Sequence, residues 1–308
     1  MTIHRIKWSD YPPGSCTGGC VTVGNFDGVH RGHAALVAAA KRWATRLGGP
    51  AVAVTFDPPP VALLNPPAWK LPLATLAGRA DALRAAGADE VVALQTDASL
   101  LALSAEAFFE DVLVRQLGAR AIVEGYNFHF GRGRGGNVVT LRAMCADAGI
   151  AFEEVPPLLF EGEAISSSRV RAAVNAGDVK LAAELLDHPY RISGDVVEGA
   201  KRGRTIGFPT ANLANVRTLP PAEGVYAVRA SVEGGTYAAA ANIGPNPTFG
   251  EDARKIEVYL LDFAGDLYGK VMQVEFVARL RETRPFANAD ALKAQLERDV
   301  AEARRVLN

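Results

Sequence analysis

The chain has 308 residues, about twice the usual size of one domain, which predicts two hydrophobic cores. Its 33 Lys and Arg residues nearly balance its 34 Asp and Glu residues, so we expect neither nucleic acid nor a membrane surface as a partner. The start of the chain lacks a signal-peptide pattern, and no apolar run approaches the ~20 residues that span a bilayer, so a cytoplasmic protein is expected.

Three cysteines, Cys16, Cys20 and Cys145, are too few and too irregularly spaced for a four-ligand zinc site or a disulfide framework. We expect them to be reduced structural thiols. The composition leaves self-association open.

From residue 20 to residue 186, short apolar runs alternate with helical stretches, which is typical of a parallel sheet built from βαβ units. The predicted strands are 21–24, 51–56, 90–94, 119–124 and 151–155. Helices are predicted at 34–47, 79–86, 105–117, 138–148 and 170–176, from good helix formers and helical apolar spacing.

Residues 24–33, which follow the first predicted strand, read Gly-Asn-Phe-Asp-Gly-Val-His-Arg-Gly-His. His30 and His33 stand beside glycines at the start of a helix, where backbone N–H groups attract anions. Both imidazoles can donate hydrogen bonds to phosphate oxygens. The pattern favours a nucleotide site over the alternative of a helix cap and a solvated side chain.

This turn resembles the signature of the HIGH-type nucleotidyltransferases, and the full string resembles the bifunctional bacterial riboflavin kinase/FAD synthetases. The resemblance implies that His30 and His33 stabilise a pentavalent transition state. Asn25 and Asp27 are turn formers or contacts of the nucleotide or flavin. The ATP contacts expected in this turn are Gly24, Asn25, Phe26 and Gly32.

Residues 165–171, Ile-Ser-Ser-Ser-Arg-Val-Arg, resemble the family's Ile-Ser-Ser-Thr-x-x-Arg segment, with Ser168 in place of Thr. The resemblance implies that Arg171 neutralises ATP phosphates and that Ser166, Ser167 and Ser168 hold them at a helix start. A serine-rich N-cap followed by a solvated arginine is the alternative.

Residues 124–136 resemble the family's Gly-x-Asp/Asn-Phe-x-Phe-Gly loop. The resemblance assigns Asn127 to the nucleotide and Phe128 to the flavin. An RNA-binding Arg-Gly segment or a flexible surface loop is the alternative, and a single copy in a neutral chain disfavours RNA. Since the carboxyl ends of parallel strands meet at one edge of a sheet, this loop and residues 24–33 are expected to share one site.

Residues 56–60, Phe-Asp-Pro-Pro-Pro, resemble the family's Phe-x-Pro-His-Pro segment. Phe56, Asp57 and Pro58 match and are assigned to the flavin. Pro59 replaces the histidine, which leaves open another nucleotidyl acceptor for this domain.

After residue 186, predicted strands at 191–197, 224–232, 236–243, 255–263 and 271–277 indicate a small antiparallel barrel. Asn288 can cap a closing helix over 288–306. We therefore predict domains at 1–186 and 187–308. Asp187 and His188 depart from the family's Leu-Gly-Arg-Pro-Tyr junction, which leaves the domain orientation open.

Residues 203–212 contain the Gly-x-Pro-Thr-Ala-Asn pattern of riboflavin kinases. The resemblance implies that Arg204, Gly207 and Thr210 bind ATP phosphates and that Thr210 and Asn212 hold Mg²⁺, which prefers hard oxygen ligands. A simple turn between strands is the alternative for this fragment alone, but further kinase segments follow in the family's order.

Glu257 lies between apolar neighbours on a predicted strand and is the expected general base for riboflavin. Its alternative is a carboxylate on an edge strand that faces solvent. Residues 280–286 resemble the family's Leu-Arg-x-Glu-x-x-Phe loop, which implies flavin contacts by Arg281 and Phe286; a charged surface loop is the alternative.

The resemblance extends over nearly the whole chain. It implies an α/β protein in which a Rossmann-like HIGH-type nucleotidyltransferase domain with a parallel sheet precedes a small antiparallel β-barrel kinase domain with a C-terminal helix. The expected reactions use ATP and Mg²⁺ to convert riboflavin to FMN, and FMN to FAD with release of pyrophosphate. A non-catalytic flavin-binding regulatory module is the further alternative.

Overall fold

A computed structural model describes residues 5–10, 14, 18–199, 203, 206–246 and 251–308, except the side chains of 246 and 251–253. The chain forms two compact units. The first comprises Met1–Lys70 and Thr75–Ser167, and the second comprises Leu71–Ala74 and Ser168–Asn308. No helix among the described residues is long and apolar enough to cross a membrane.

The first unit alternates strands and helices. Its strands are β1 (Arg5–Ile6), β2 (Cys20–Val23), β3 (Ala51–Asp57), β4 (Glu90–Gln95), β5 (Ala121–Gly125), β6 (His129–Phe130), β7 (Gly136–Asn137), β8 (Ala151–Val155), β9 (Leu159–Phe160) and β10 (Glu163–Ala164). Its helices are α1 (Arg31–Leu47), α2 (Pro60–Leu64), α3 (Leu76–Ala85), α4 (Ala98–Ala102), α5 (Ala105–Ala107), which continues as a π-helical segment (Phe108–Gln116), and α6 (Val138–Asp147).

Six strands form one parallel sheet in the order β1-β4-β3-β2-β5-β8. The strands at its centre are continuous apolar runs because helices cover both faces. Val21, Val23, Val52 and Val54 pack on one face, while small residues of α1, including Ala40, pack with Cys20 on the other. The predicted parallel α/β domain is confirmed.

The second unit is built around a closed antiparallel barrel. After α7 (Ser167–Ala176) and α8 (Val179–Leu186) come β11 (Tyr190–Val197), β12 (Ala211–Ala214), β13 (Gly224–Val232), β14 (Gly235–Asn246), β15 (Glu251–Leu260), β16 (Val271–Arg281) and α9 (Ala289–Leu307). The strands close in the order β11-β12-β15-β14-β13-β16. Along β16, Met272, Val274 and Phe276 are buried and alternate with more exposed residues, as expected for a strand that faces the core on one side.

The structure adds elements that sequence patterns did not predict, which are β1, β6, β7, β9, β10, β12, α2, α4 and α8. It also extends α7 back to Ser167 from the predicted start at residue 170. Asn288 caps α9 as predicted, since its Oδ1 accepts a hydrogen bond from the Ala291 backbone N–H at 2.8 Å. Cys20 and Cys145 are buried free thiols. Cys16 lies outside the described residues.

Helix α8 packs on strands β11 and β16 of the barrel and buries Val179, Ala182, Leu185 and Leu186.

We expect a fragment of residues 187–308 to phosphorylate riboflavin unaided. A fragment of residues 168–308 should melt at least ~5 °C higher, because it keeps the apolar face of α8 covered. Thermal melts followed by circular dichroism, with product chromatography, test both statements; equal melting temperatures would contradict the second.

Candidate active sites

The loops that carry the predicted nucleotide site leave neighbouring strands at one edge of the sheet. From β2 the chain continues to β3 on one side, and from β4 it returns to β5 on the other side of β2. Ligands of open α/β sheets bind at the carboxyl ends of the strands where the order reverses in this way. The expectation that residues 24–33 and the loop after β5 open onto the same edge is confirmed.

His30 and His33 lie together at the N-terminus of α1. The Nδ1 atom of His30 caps the helix and accepts a hydrogen bond from the His33 backbone N–H at 3.3 Å. The rings stack with 3.6 Å between centroids and 19° between planes. Because Nδ1 of His30 accepts, the neutral ring carries its proton on Nε2, where it can donate to a ligand.

His30 is buried, and His33 is partly buried beside it. His30 is only 6% exposed, and burial lowers its pKa to about 4. Burial also lowers the pKa of His33, and the charges of His30 and Arg79 lower it further. His30 caps the helix, as the alternative expects, but His33 is only partly exposed to solvent. The Nδ1 atom of His33 is buried and has no hydrogen-bond partner among the described residues, so a phosphate oxygen would satisfy it.

The turn before α1 has an unusual backbone conformation. Phe26 has φ 46° and Val29 has φ 44°, a region that L residues rarely occupy and β-branched residues avoid. Phe26 also packs its ring edge-on against His33, with 5.1 Å between centroids. Such conformations persist only where surrounding contacts hold them.

Two side chains hold this turn by its backbone carbonyl groups. Thr55 Oγ1 donates to the Asn25 oxygen at 3.1 Å, and Ser167 Oγ donates to the Asp27 oxygen at 2.9 Å. Gly32 permits the close packing here, since a Cβ at this position would lie 3.1 Å from the ring of His30. Thus the structure brings predicted residues of the serine segment and the histidine turn together.

Ser166 and Ser167 belong to the first unit, whereas Ser168 and Arg171 belong to the second. Ser168 is exposed in the first turn of α7. Arg171 donates from Nη1 to the Leu71 backbone oxygen at 2.6 Å. Leu71 also belongs to the second unit.

At the end of β5, Glu124 is a buried carboxyl group that sequence reasoning missed. It is 1% exposed, and its Oε1 accepts a hydrogen bond from the Val23 backbone N–H at 2.6 Å. Burial raises its pKa well above the ordinary value. This hydrogen bond joins β2 and β5 near the ends of both strands. In the sequence, the sign of such a residue is a single acidic side chain at the end of an otherwise apolar strand.

The loop after β5 folds into a hairpin of β6 and β7. Asn127 is exposed, whereas Phe128 stacks on Phe130 with 5.5 Å between centroids and packs against the core. Gly131 has φ 73°, and a Cβ there would lie 2.6 Å from the backbone nitrogen of Ala105. The loop is therefore packed against the unit, which disfavours the alternative of a flexible surface loop.

The predicted flavin residues Phe56, Asp57 and Pro58 lie at the end of β3, beside β2. Phe56 packs against the core, and Asp57 forms an ion pair with Arg5 at 3.0 Å. The Pro58 oxygen accepts a hydrogen bond from Thr96 Oγ1 at 2.5 Å. These contacts place the predicted flavin segment at the same edge of the sheet as the histidines.

The barrel carries a second polar site. Glu257 on β15 pairs with Asn212 on β12 and with Asn242 on β14, so the three side chains form a row on one face. Their neighbours along the strands, including Ile256 and Val258, are buried. Since β15 has a partner on each side, the alternative of an edge-strand carboxylate is wrong for Glu257.

The loop before β12 is compact where it is described. The Phe208 backbone N–H donates to the Gly203 oxygen at 2.8 Å, and Gly207 has φ 89°. Thr210 is half-buried and immediately precedes β12. Arg204, an expected phosphate contact, lies outside the described residues.

Arg281 binds a carboxylate of α9 and lies over the ring of Phe286. Arg281 binds Asp299 through Nε at 2.9 Å and Nη2 at 2.7 Å, and its guanidinium lies 5.7 Å from the ring centroid of Phe286. Asp299 also accepts a hydrogen bond from Gln295 at 2.8 Å. The guanidinium of Arg281 therefore anchors the loop, and Asp299 is a buried partner that sequence reasoning missed.

Two family models divide the chain between them. The FAD synthetase model matches residues 14–169, and the riboflavin kinase model matches residues 186–307. The bifunctional riboflavin kinase/FMN adenylyltransferase of Pseudomonas fluorescens is 41% identical over 288 residues, with 93% of this chain and 92% of that protein covered. The chain belongs to the bifunctional riboflavin kinase/FMN adenylyltransferase family.

Other relatives agree with this family. The enzyme of the same name from Escherichia coli K12 is 39% identical over 288 residues, with 93% of this chain and 92% of that protein covered. A crystal structure described as a macrolide-efflux protein from Streptococcus pneumoniae is 33% identical, has a TM-score of 0.89 and covers 99% of each chain. This similarity supports the fold of the whole bifunctional chain, and the predicted family is confirmed.

The lowered pKa of His30 makes the first unit sensitive to acid. Below pH 6.5 the unfolded residue binds a proton that the folded residue, with a pKa of about 4, does not bind. The free energy of unfolding should therefore fall between pH 6.5 and pH 4, by up to ~3 kcal/mol from this residue. His30→Asn, which keeps a capping side chain but does not titrate, should show a smaller decrease.

Urea unfolding followed by tryptophan fluorescence measures this effect, because all three tryptophans, Trp8, Trp43 and Trp69, belong to the first unit. The same pH dependence in the wild type and in the His30→Asn variant would contradict the assignment.

Proposed function

We propose that the first unit adenylylates FMN at the histidine turn and that the barrel phosphorylates riboflavin at the Asn212–Glu257–Asn242 row. The stacked pair of His30 and His33 at the switch point of the sheet carries the first assignment. The register of the three barrel strands carries the second.

In the adenylyl transfer, an FMN phosphate oxygen attacks the α-phosphorus of ATP and the bond to pyrophosphate breaks. The attacking phosphate is already ionised, so the step needs positioning and charge stabilisation, with neither a base nor a covalent enzyme intermediate. His30 donates from Nε2, and His33 lies stacked beside it to contact the same transferring group. Neutral imidazoles suit this role because each can still donate a hydrogen bond. Two charged rings stacked in contact would repel each other.

Further nucleotide contacts of the first unit belong to loops at the same edge of the sheet. Gly24, Asn25, Phe26 and Gly32 belong to the turn, and Asn127 is exposed on the neighbouring loop. We assign Ser166 and Ser167 to the ATP phosphates, and we assign Ser168 and Arg171 to them from the resemblance of residues 165–171 to the family's segment alone. Phe56, Asp57, Pro58 and Phe128 are assigned to the flavin.

In the kinase step, the riboflavin 5′-hydroxyl oxygen attacks the γ-phosphorus of ATP, the bond to ADP breaks, and the hydroxyl proton moves to the Glu257 carboxylate. A carboxylate in a row of amides on one barrel face can accept that proton where the hydroxyl approaches. We assign Arg204, Gly207 and Thr210 to the phosphates, and Phe286, held by Arg281, to the flavin.

Thr210 and Asn212 fit Mg²⁺, because a hydroxyl and an amide carbonyl are hard oxygen donors and Asn212 lies in register with the Glu257 carboxylate. When bound, Mg²⁺ supplies positive charge that neutralises the phosphates. The buried free thiols Cys20 and Cys145 support our further proposal of a reducing, cytoplasmic location.

Replacing His30 or His33 with Ala should lower FAD formation from supplied FMN by roughly 10²-fold or more, as for loss of a donor to a developing charge. FMN formation by the same protein should stay near the wild-type rate. Chromatography of both products from one preparation provides the measurement and its internal control. Equal loss of both activities in a folded variant would indicate a structural role.

Glu257→Gln keeps the shape of the side chain but removes its basicity. Single-turnover phosphorylation of riboflavin should fall by ~10² to 10⁴-fold, while adenylylation of supplied FMN persists. Glu233→Gln is the matched control, since Glu233 forms an exposed ion pair with Lys270 at 2.7 Å. Kinase turnover within a few-fold of wild type in Glu257→Gln would remove this residue from the mechanism.

A further inference from the structure

Arg79 is a buried cation that neither the sequence patterns nor the assigned reaction uses. It lies near the N-terminus of α3 and is 3% exposed. Burial lowers the pKa of its guanidinium, and the charges of Asp27 and Asp57 oppose that shift. A cation near a helix N-terminus is disfavoured by the helix dipole, and burial of a charge is costly. Stability of α3 alone therefore does not account for an arginine here.

The guanidinium of Arg79 instead connects two loops. Its Nη1 donates to Thr55 Oγ1 at 3.0 Å and to the Phe56 backbone oxygen at 3.2 Å. Thr55 in turn donates to the Asn25 backbone oxygen at 3.1 Å. Arg79 thus reaches the histidine turn through one hydroxyl group and the segment after β3 directly.

These two contacts bear on both substrates of the adenylyl transfer. Asn25 begins the strained turn that carries His30, and Phe56 begins the segment assigned to the flavin. We propose that Arg79 is a positioning residue for FMN adenylylation, which fastens the ATP turn and the flavin segment to each other through Thr55 and the Phe56 carbonyl group. This inference rests on the proposed assignment of those segments to ATP and FMN.

Neither Arg79 nor Thr55 touches solvent appreciably, since Thr55 is 0% exposed and Arg79 is 3% exposed. Their effect on the reaction therefore passes through the geometry of the loops. A displacement of about 1 Å between reacting groups can cost ~10²-fold in rate. Loss of this connection should lower kcat more than it raises KM.

The test uses the full chain with Arg79→Met, Thr55→Val and Thr55→Ser. Arg79→Met should lower kcat for FMN adenylylation by ~10²-fold, with KM for ATP and for FMN changed by less than about threefold. Thr55→Val removes only the connecting hydroxyl and should lower kcat by about tenfold or more. Thr55→Ser restores the hydroxyl and should recover most of the rate.

Arg84→Met is the matched control, because Arg84 lies on the same helix and contacts the exposed Asp81 at 3.4 Å. It should leave both activities unchanged. Riboflavin phosphorylation, measured on every variant, should also remain at the wild-type rate, because that reaction belongs to the barrel.

Adenylylation within about threefold of wild type in both Arg79→Met and Thr55→Val would overturn the inference, as would equal losses of the two activities. If Arg79→Met does not fold, the Thr55 variants decide the question. Full adenylylation by His30→Ala and His33→Ala would instead overturn the proposed site, so the two failures are distinguishable.

Discussion

The chemistry proposed for the first unit depends on one interaction, the stacking of two imidazoles at the start of α1. At 3.6 Å between centroids, charging both rings would set like charges in contact in surroundings that solvate neither. The rings are therefore neutral hydrogen-bonding groups. The turn before them contains two non-glycine residues with positive φ, so contacts from other parts of the unit must stabilise it. Thr55 and Ser167 hold it by the carbonyl groups of Asn25 and Asp27.

The topology of the sheet supplies those outside contacts. Because β2 lies between β3 and β5, its turn is flanked by the ends of both neighbours. Glu124 joins β5 to β2, and Arg79 joins the end of β3 to the histidine turn through Thr55. Buried ionisable groups of this kind cost stability unless they are satisfied. Their concentration at the switch point is consistent with an edge built to position substrates.

In the barrel, strand register positions the polar side chains of the second site. A closed barrel leaves no edge, so Glu257 acquires a neighbour on each side and faces Asn212 and Asn242 in one row. The alternation of strand residues buries the flanking apolar side chains and keeps this row on the opposite face. In the same barrel, the pairing of Arg281 with Asp299 fixes the end of β16, where the closing loop starts, to α9.

The sequence by itself determined the parallel α/β unit, the antiparallel barrel, the Asn288 cap and the histidine turn, because apolar periodicity and capping are local properties of the chain. It missed β1 and β12, among other short elements, because runs of two and four residues are too short for a period to be recognised. Arg79, Glu124 and Asp299 looked like ordinary charged residues. Only tertiary packing buried them, since burial of a charge depends on which distant strands and helices surround it.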